Sequence, residues 1–222
     1  MDRKEIKEKA KELIKGKKWQ IWWPLLIISL VSSVLENLIG PNYSGLENLE
    51  ITSFEQLSQL NLPAPTPTQL ILSLLVGIVI GIAGVAYNKY ILKLVRGEEP
   101  EFNDIIETIK ERWLSILLVE LIVGVVVCVC AIFFVIPGII MALAYAMAGY
   151  LVVDTDLEAM EVVKKSRAMM KGYKWNYFVF GLSFIGWILL VPFTLGILII
   201  WLMPYVIVSM ALYYENLKEI NG

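Results

Sequence analysis

The chain has 222 residues, of which 58% are hydrophobic and only 18% charged, and its mean hydropathy is +0.68. Soluble domains carry about 25% charged residues, so the composition excludes an ordinary soluble domain and predicts a membrane protein of about six spans. The net charge of −2 is near neutral, and the absence of histidine removes the commonest general base and the commonest metal ligand.

The chain opens with a basic stretch, residues 1–18. Ile6, Ala10, Leu13 and Ile14 recur at helical spacing there, with lysines and glutamates opposite. The pattern predicts an amphipathic helix along the inner membrane surface. A first span is expected at 19–39. A cleaved signal peptide is not expected, because the apolar run is long and SSVLEN follows it instead of a small-x-small site.

Residues 40–68 form the one sizeable outer loop. It holds Glu47, Glu50 and Glu55 but no basic residue. GPNYSG and PAPTPTQ read as turn or extended signals, and SFEQLSQL between them as a short helix capped by Ser53. A surface loop is the main expectation, with a ligand lid or docking loop as the alternative. The second span, 69–94, carries Gly77, Gly81 and Gly84, small residues that permit close helix packing within the chain or between two copies. Tyr87, Asn88 and Lys89 follow near its inner end.

Phe102, Ile105, Ile106 and Ile109 predict a second surface helix, with Asp104 as a helix cap. Spans at 113–136 and 138–153 come next, with a tight turn at Ile136, Pro137 and Gly138. A rival reading makes these one long kinked helix. Cys128 and Cys130 are two apart on a helix and face different ways, so neither a disulfide nor a metal pair is expected. Ala142, Ala144, Ala146, Ala148 and Gly149 permit close packing in the fourth span.

Asp154 and Asp156 sit where a helix cap belongs, with a metal site as the alternative. Leu157, Met160, Val163 and Met170, with Lys164, Lys165 and Lys171 nearby, predict a third surface helix. The last two spans, 175–192 and 195–214, are joined by a turn containing Pro192 and Gly196. Pro204 is expected to kink the sixth span and open a cavity.

Charge counting orients these segments. Eight Lys and Arg lie in 1–18, five in 89–112, five in 154–174 and one at Lys218, which is the full inventory of 19. With six spans every positive charge falls on one side, so both termini are predicted to be cytoplasmic.

The chain also repeats itself. ELIKGKKWQIWW (Glu12 to Trp23) matches AMMKGYKWNYFV (Ala168 to Val179), and TIKERWLSIL (Thr108 to Leu117) is a weaker copy without the glycine. The predicted fold is therefore a single all-α membrane domain, 1–222, with a pseudo-threefold repeat. Each unit has a surface helix, a turn and a span hairpin, at 1–95, 100–153 and 155–216. Lys15, Lys18, Trp19, Arg112, Trp113, Lys171, Lys174 and Trp175 then mark the junctions. Trp favours the interface, Lys snorkels to headgroups, and glycine lets the chain turn. The same lysines, with Lys17, are candidates for contact with anionic lipid.

Ionisable groups within spans are functional candidates. Lys89 and Glu120 lie at matching depths, roughly 9–10 Å from their span ends at 1.5 Å per residue. They are candidates for a buried pair, joined by Asn88, with a polar cavity for ions, protons or a headgroup as the sharper reading. No G-x-S-x-G, H-E-x-x-H or P-loop pattern is present.

KLVRGEEPEFNDI, FFVIPGIIMALAYAMAGY, SRAMMKGYKWNYFVFGLSFIGWILL and LMPYVIVSMALYYENL resemble an uncharacterised family of bacterial multi-pass membrane proteins, domain of unknown function 975. The family implies no activity and no cofactor. The chain is also distantly similar to membrane domains of some glycerophosphodiester phosphodiesterases, but their catalytic part is absent. The expected function is non-enzymatic binding of membrane lipids or a membrane-protein partner, or of a second copy, in the bacterial cytoplasmic membrane, without nucleic acid. A small transporter or channel using Lys89 and Glu120 is the alternative.

Overall fold

The computed structural model describes residues 2–39 and 64–221, so the Ser53-capped helix and most of the predicted loop lie outside the described residues. The described residues are helical, without strands. In chain order they form α1 (Arg3–Ile14), α2 (Lys18–Ile39), α3 (Pro67–Arg96), α4 (Phe102–Phe133), α5 (Val135–Ala144), α6 (Ala148–Asp154), α7 (Ala159–Met169), α8 (Lys174–Leu190) and α9 (Ile199–Asn221). A 3-10 turn, Pro192–Thr194, precedes α9. Five segments are long and apolar enough to cross a membrane: Lys18–Ile39, Pro67–Arg96, Phe102–Phe133, Val135–Asp154 and Lys174–Thr194.

The chain divides into two compact units. The smaller, Ile27–Gly81, holds the second half of α2 and the first half of α3. Its α3 start is set locally. Thr66 accepts from the Gln69 backbone through its hydroxyl, and Gln69 Oε1 accepts from the Thr66 N–H at 2.8 Å. Pro67 takes the first helical position, where no N–H partner is needed.

In the larger unit α9 is the central element. Tyr205, Val208, Ala211, Leu212, Tyr213, Tyr214 and Leu217 are all buried on it. The helix also departs from the predicted span 195–214. It begins at Ile199, runs to Asn221 and is not among the five segments above. Its tyrosines are turned into protein. An aromatic ladder ties α9 to α8: Trp187, Trp201, Tyr205, Phe184, Phe180, Tyr213 and Tyr177 touch in series, with centroids 5.0–5.8 Å apart.

The predicted surface helices need correction. α1 buries Ile6, Ala10 and Ile14 and packs along α9. α7 buries Ala159, Val162, Val163, Ser166 and Met169, packing on α4 and α6, while Met160 is exposed. The stripe of α1 and most of that of α7 are thus covered by protein. The second predicted surface helix does not exist separately: Phe102 to Phe133 is one helix. The physical reason lies in the repeat. At Gly16 and Gly172 the backbone takes φ of +84° and +86°, the left-handed region where a side chain is strained. K-E-R-W has no glycine, and its helix continues through.

The turn predicted at Ile136–Gly138 is displaced. Phe134, extended at φ −155° and ψ 131°, breaks the chain between α4 and α5, and Pro137 and Gly138 lie in the first turn of α5. Gly138 permits the hairpin to close: a Cβ there would stand 2.8 Å from Ala131 Cβ and 2.9 Å from its Cα. The predicted fourth span is itself broken at Tyr145–Met147, between α5 and α6. The turn predicted from Val191 to Gly196 holds Pro192 in the 3-10 turn and left-handed Leu195 and Gly196.

Side chains from distant segments satisfy carbonyls that the helices leave open. Pro24 has no N–H for the Gln20 carbonyl, and Tyr90 donates its hydroxyl to that oxygen at 2.9 Å. Pro204 likewise leaves the Ile200 carbonyl open, and Trp22 Nε1 donates to it at 2.8 Å. At the α5–α6 break the buried Ser166 hydroxyl donates to the Ala144 carbonyl at 3.2 Å. Backbone carbonyls away from water are rarely left unpaired, and α9 runs through Pro204 as one helix.

Candidate functional site

Two of the three Trp–basic junctions present exposed lysines. Trp19, in the first turn of α2, is 71% exposed; Trp175, in the first turn of α8, is 73% exposed; and Trp113, within α4, is 50% exposed. Lys15, Lys17, Lys18 and Lys171 are exposed and Lys174 is half-buried. Among the described residues none of these lysine side chains has a hydrogen-bond or ion-pair partner. The outer ring face and the amines are therefore open to a ligand. Arg112 is different. It donates to the carbonyls of Val152, at 3.1 Å, and Thr155, and pairs with Asp156. Its guanidinium fastens α4 to the end of α6.

Asp154 is the charged centre of the larger unit. Its side chain is 3% exposed and meets Arg96 at 2.7 Å, Lys218 at 2.7 Å and the Tyr214 hydroxyl at 2.8 Å. Arg96 also reaches Glu215 through two nitrogens, at 3.0 and 2.8 Å. This hub joins α3, α6 and α9. The N-cap position expected near Asp154 is held instead by Glu158, whose side chain makes no cap hydrogen bond, because α7 starts later than the sequence pattern implies. Asp104 does serve as a cap, from the third position of α4: it accepts from the N–H of the N-cap Glu101 at 2.8 Å, and it also pairs with Lys93. Among the described residues no cluster of His, Cys, Asp and Glu is arranged to hold a metal. Cys128 and Cys130 are both free thiols.

Two clefts flank the hub. One, of about 370 Å³, is lined by Glu5, Lys9, Arg96, Glu215 and Glu219 among others. The other, of about 270 Å³, has Lys165, Tyr214 and Lys218 on an otherwise mostly apolar wall that includes Leu151 and Met169. The sequence reading missed this hub, since its members lie apart in the chain. The one local signal was the pair of acidic residues at Asp154 and Asp156.

Lys89 and Glu120 are not brought together. Among the described residues no hydrogen bond or ion pair joins them; Glu120 is exposed on α4 and Lys89 is half-buried on α3. Asn88 turns elsewhere, donating to the Gly149 carbonyl at 3.2 Å, and Tyr87 donates to the Ile21 carbonyl at 2.8 Å.

No curated protein and no solved structure matches the chain. The likeness to membrane domains of glycerophosphodiester phosphodiesterases therefore finds no counterpart in these comparisons. One family profile, described as "Protein of unknown function (DUF975)", matches residues 1–137 and, overlapping, residues 122–221. Covered in this way over nearly its whole length, the chain belongs to the DUF975 family of unknown function.

Proposed function

We propose that the chain is a non-enzymatic multi-pass protein of the bacterial cytoplasmic membrane that binds anionic lipid headgroups at the basic ends of its spans. The observation that carries this reading is the set of lysines, Lys15, Lys17, Lys18 and Lys171, that have no side-chain partner and stand beside the exposed Trp19 and Trp175. A basic residue near an anionic surface contributes about 1 kcal/mol, so four of them together select strongly for anionic lipid. The apolar stripes of α1 and α7 are mostly covered by protein, so the attraction rests mainly on the lysines and tryptophans.

The proposed arrangement has six spans in three hairpins, related by the threefold sequence repeat, with both termini cytoplasmic. It counts α9 as the sixth. That count is supported by the charges, since it gathers all 19 basic residues on one side. An acidic membrane-protein partner is the other ligand these lysines suit.

Native mass spectrometry of gently extracted protein tests the proposal. Anionic lipid is expected to remain bound, and replacement of Lys15, Lys17, Lys18 and Lys171 by Gln to release it. Unchanged lipid retention in that quadruple variant would sink the reading.

A further inference from the structure

Glu120 stands well inside α4, about 27 Å from the Phe102 end and about 20 Å from the Phe133 end at 1.5 Å per residue. That helix is long and apolar enough to cross a membrane. The Glu120 side chain is exposed and, among the described residues, has no hydrogen-bond or ion-pair partner. Ionisable groups in spans ordinarily face protein or water, because a carboxyl group turned to hydrocarbon is strongly unfavourable. The face therefore calls for an occupant that satisfies a carboxyl.

The neighbours of Glu120 on the same stripe describe that occupant further. Trp113, Leu117, Gly124 and Cys128 follow at steps of three and four, which keeps them on one side of a helix. Gly124 has open space around it, and Cys128 is exposed. A glycine one turn from a polar group lets a second helix backbone come close enough for a hydrogen bond.

We propose that this face of α4 is the contact between two copies of the chain, related by a twofold axis along the membrane normal, with the two Glu120 carboxyls meeting at the axis. A twofold contact sets a residue near the axis against its own mate. With both carboxyls protonated, each donates its O–H to the carbonyl oxygen of the other, so the pair is neutral in the hydrocarbon and needs no foreign cation. A foreign helix would have to supply a cation or amide at the same depth; a second copy supplies the partner automatically. The proposal rests on the reading that α4 spans a membrane.

The test uses full-length protein in liposomes with Cys130→Ser, leaving Cys128 two turns from Glu120. A membrane-permeant oxidant, copper phenanthroline, is expected to give a disulfide-linked dimer. The Cys128→Ser protein, which keeps Cys130 on another face, is expected to give at least about fivefold less. Glu120→Leu, which should fold because the side chain is exposed, is expected to lower the yield by a similar factor, while Glu120→Gln retains it. Gly124→Leu is expected to abolish it. Equal cross-linking through Cys130, an unchanged yield with Glu120→Leu, or a Cys128 adduct with a protein of different mass would each overturn the dimer. Labelling of Cys128 by a water-soluble maleimide separates the two readings. Protection of Cys128 without a dimer defeats the contact alone, whereas rapid labelling defeats the span as well.

Discussion

Trp22 donates its indole N–H to the Ile200 carbonyl at 2.8 Å, the oxygen that Pro204 leaves without a helical partner. The contact joins α2 to α9 across 178 positions of sequence. Trp22→Phe removes the donor and strands the carbonyl, with an expected loss of about 0.5–2 kcal/mol. In a Pro204→Ala background the restored N–H refills the oxygen, so Trp22→Phe should lose distinctly less. A double-mutant cycle on thermal or denaturant unfolding in detergent checks this. Equal losses in both backgrounds would refute the healing role.

Gly138 closes the α4–α5 hairpin against Ala131. Gly138→Ala is expected to destabilise the protein by about 1–3 kcal/mol through overpacking. Adding Ala131→Gly should recover only part of this, because the new Cβ would still stand 2.9 Å from the Ala131 Cα. Full recovery in the double variant would show that the backbones are not in contact there.

The Asp154 hub predicts unequal effects from its members. Asp154 is 3% exposed, and Asp154→Asn leaves Arg96 and Lys218 facing an uncharged group. Arg96 is itself 26% exposed and keeps Glu215, so the loss is expected at about 1–3 kcal/mol, or roughly 2–12 °C in melting temperature at this chain length. Lys218 is 46% exposed, so Lys218→Met should shift stability by less than about 1 kcal/mol. Comparable melting shifts for the two variants would argue against a buried hub.

The glycines of the repeated junction predict a further contrast. Gly16→Ala and Gly172→Ala place a side chain in the left-handed region with nothing nearby to clash, so each should lose about 1–2 kcal/mol from the backbone alone. Gly16→Asn and Gly172→Asn should lose less, because asparagine tolerates that conformation better. Conversely Glu111→Gly, within the continuous α4, should lose about 1 kcal/mol without creating a turn. Chemical-denaturation midpoints of the five variants provide the check.

Lys7, on α1 outside the five long apolar helices, lies over the Phe184 ring at 4.5 Å and hydrogen-bonds to Ser183. Burial, with help from Lys11 and Arg3, holds its amine below the ordinary value of 10.5. The unfolded chain therefore binds more protons than the folded one just below that value, and stability from this group rises with pH there. The stability of the natural protein relative to Lys7→Met should increase as the pH rises toward 10.5. A difference that is flat or falls over that rise would contradict the assigned environment.

Much of the helix plan was legible because it depends on local chemistry. Gly16 and Gly172 announce turns, and Pro192 with Gly196 marks the last reversal. The continuity of α4 was legible too, in the missing glycine of K-E-R-W, but the repeat argued for the same turn in all three copies. Lys89 and Glu120 show a different limit. Equal depth fixes one coordinate of a side chain and leaves the rotation of each helix open, and here the rotations leave the pair apart. The Asp154 hub and the healed carbonyls draw on partners 22 to 178 positions away, which no window of sequence displays.

At 32 residues, α4 is about 48 Å long, against roughly 30 Å for the hydrocarbon of a bilayer. It therefore either leans steeply or stands clear of the hydrocarbon over about a third of its length. Its early turns carry the Lys93–Asp104 and Arg112–Asp156 ties, and its far end meets the Phe134 hinge. A rod of this kind is a lever: a tilt imposed at Phe102 is delivered, without an intervening joint, at Phe133.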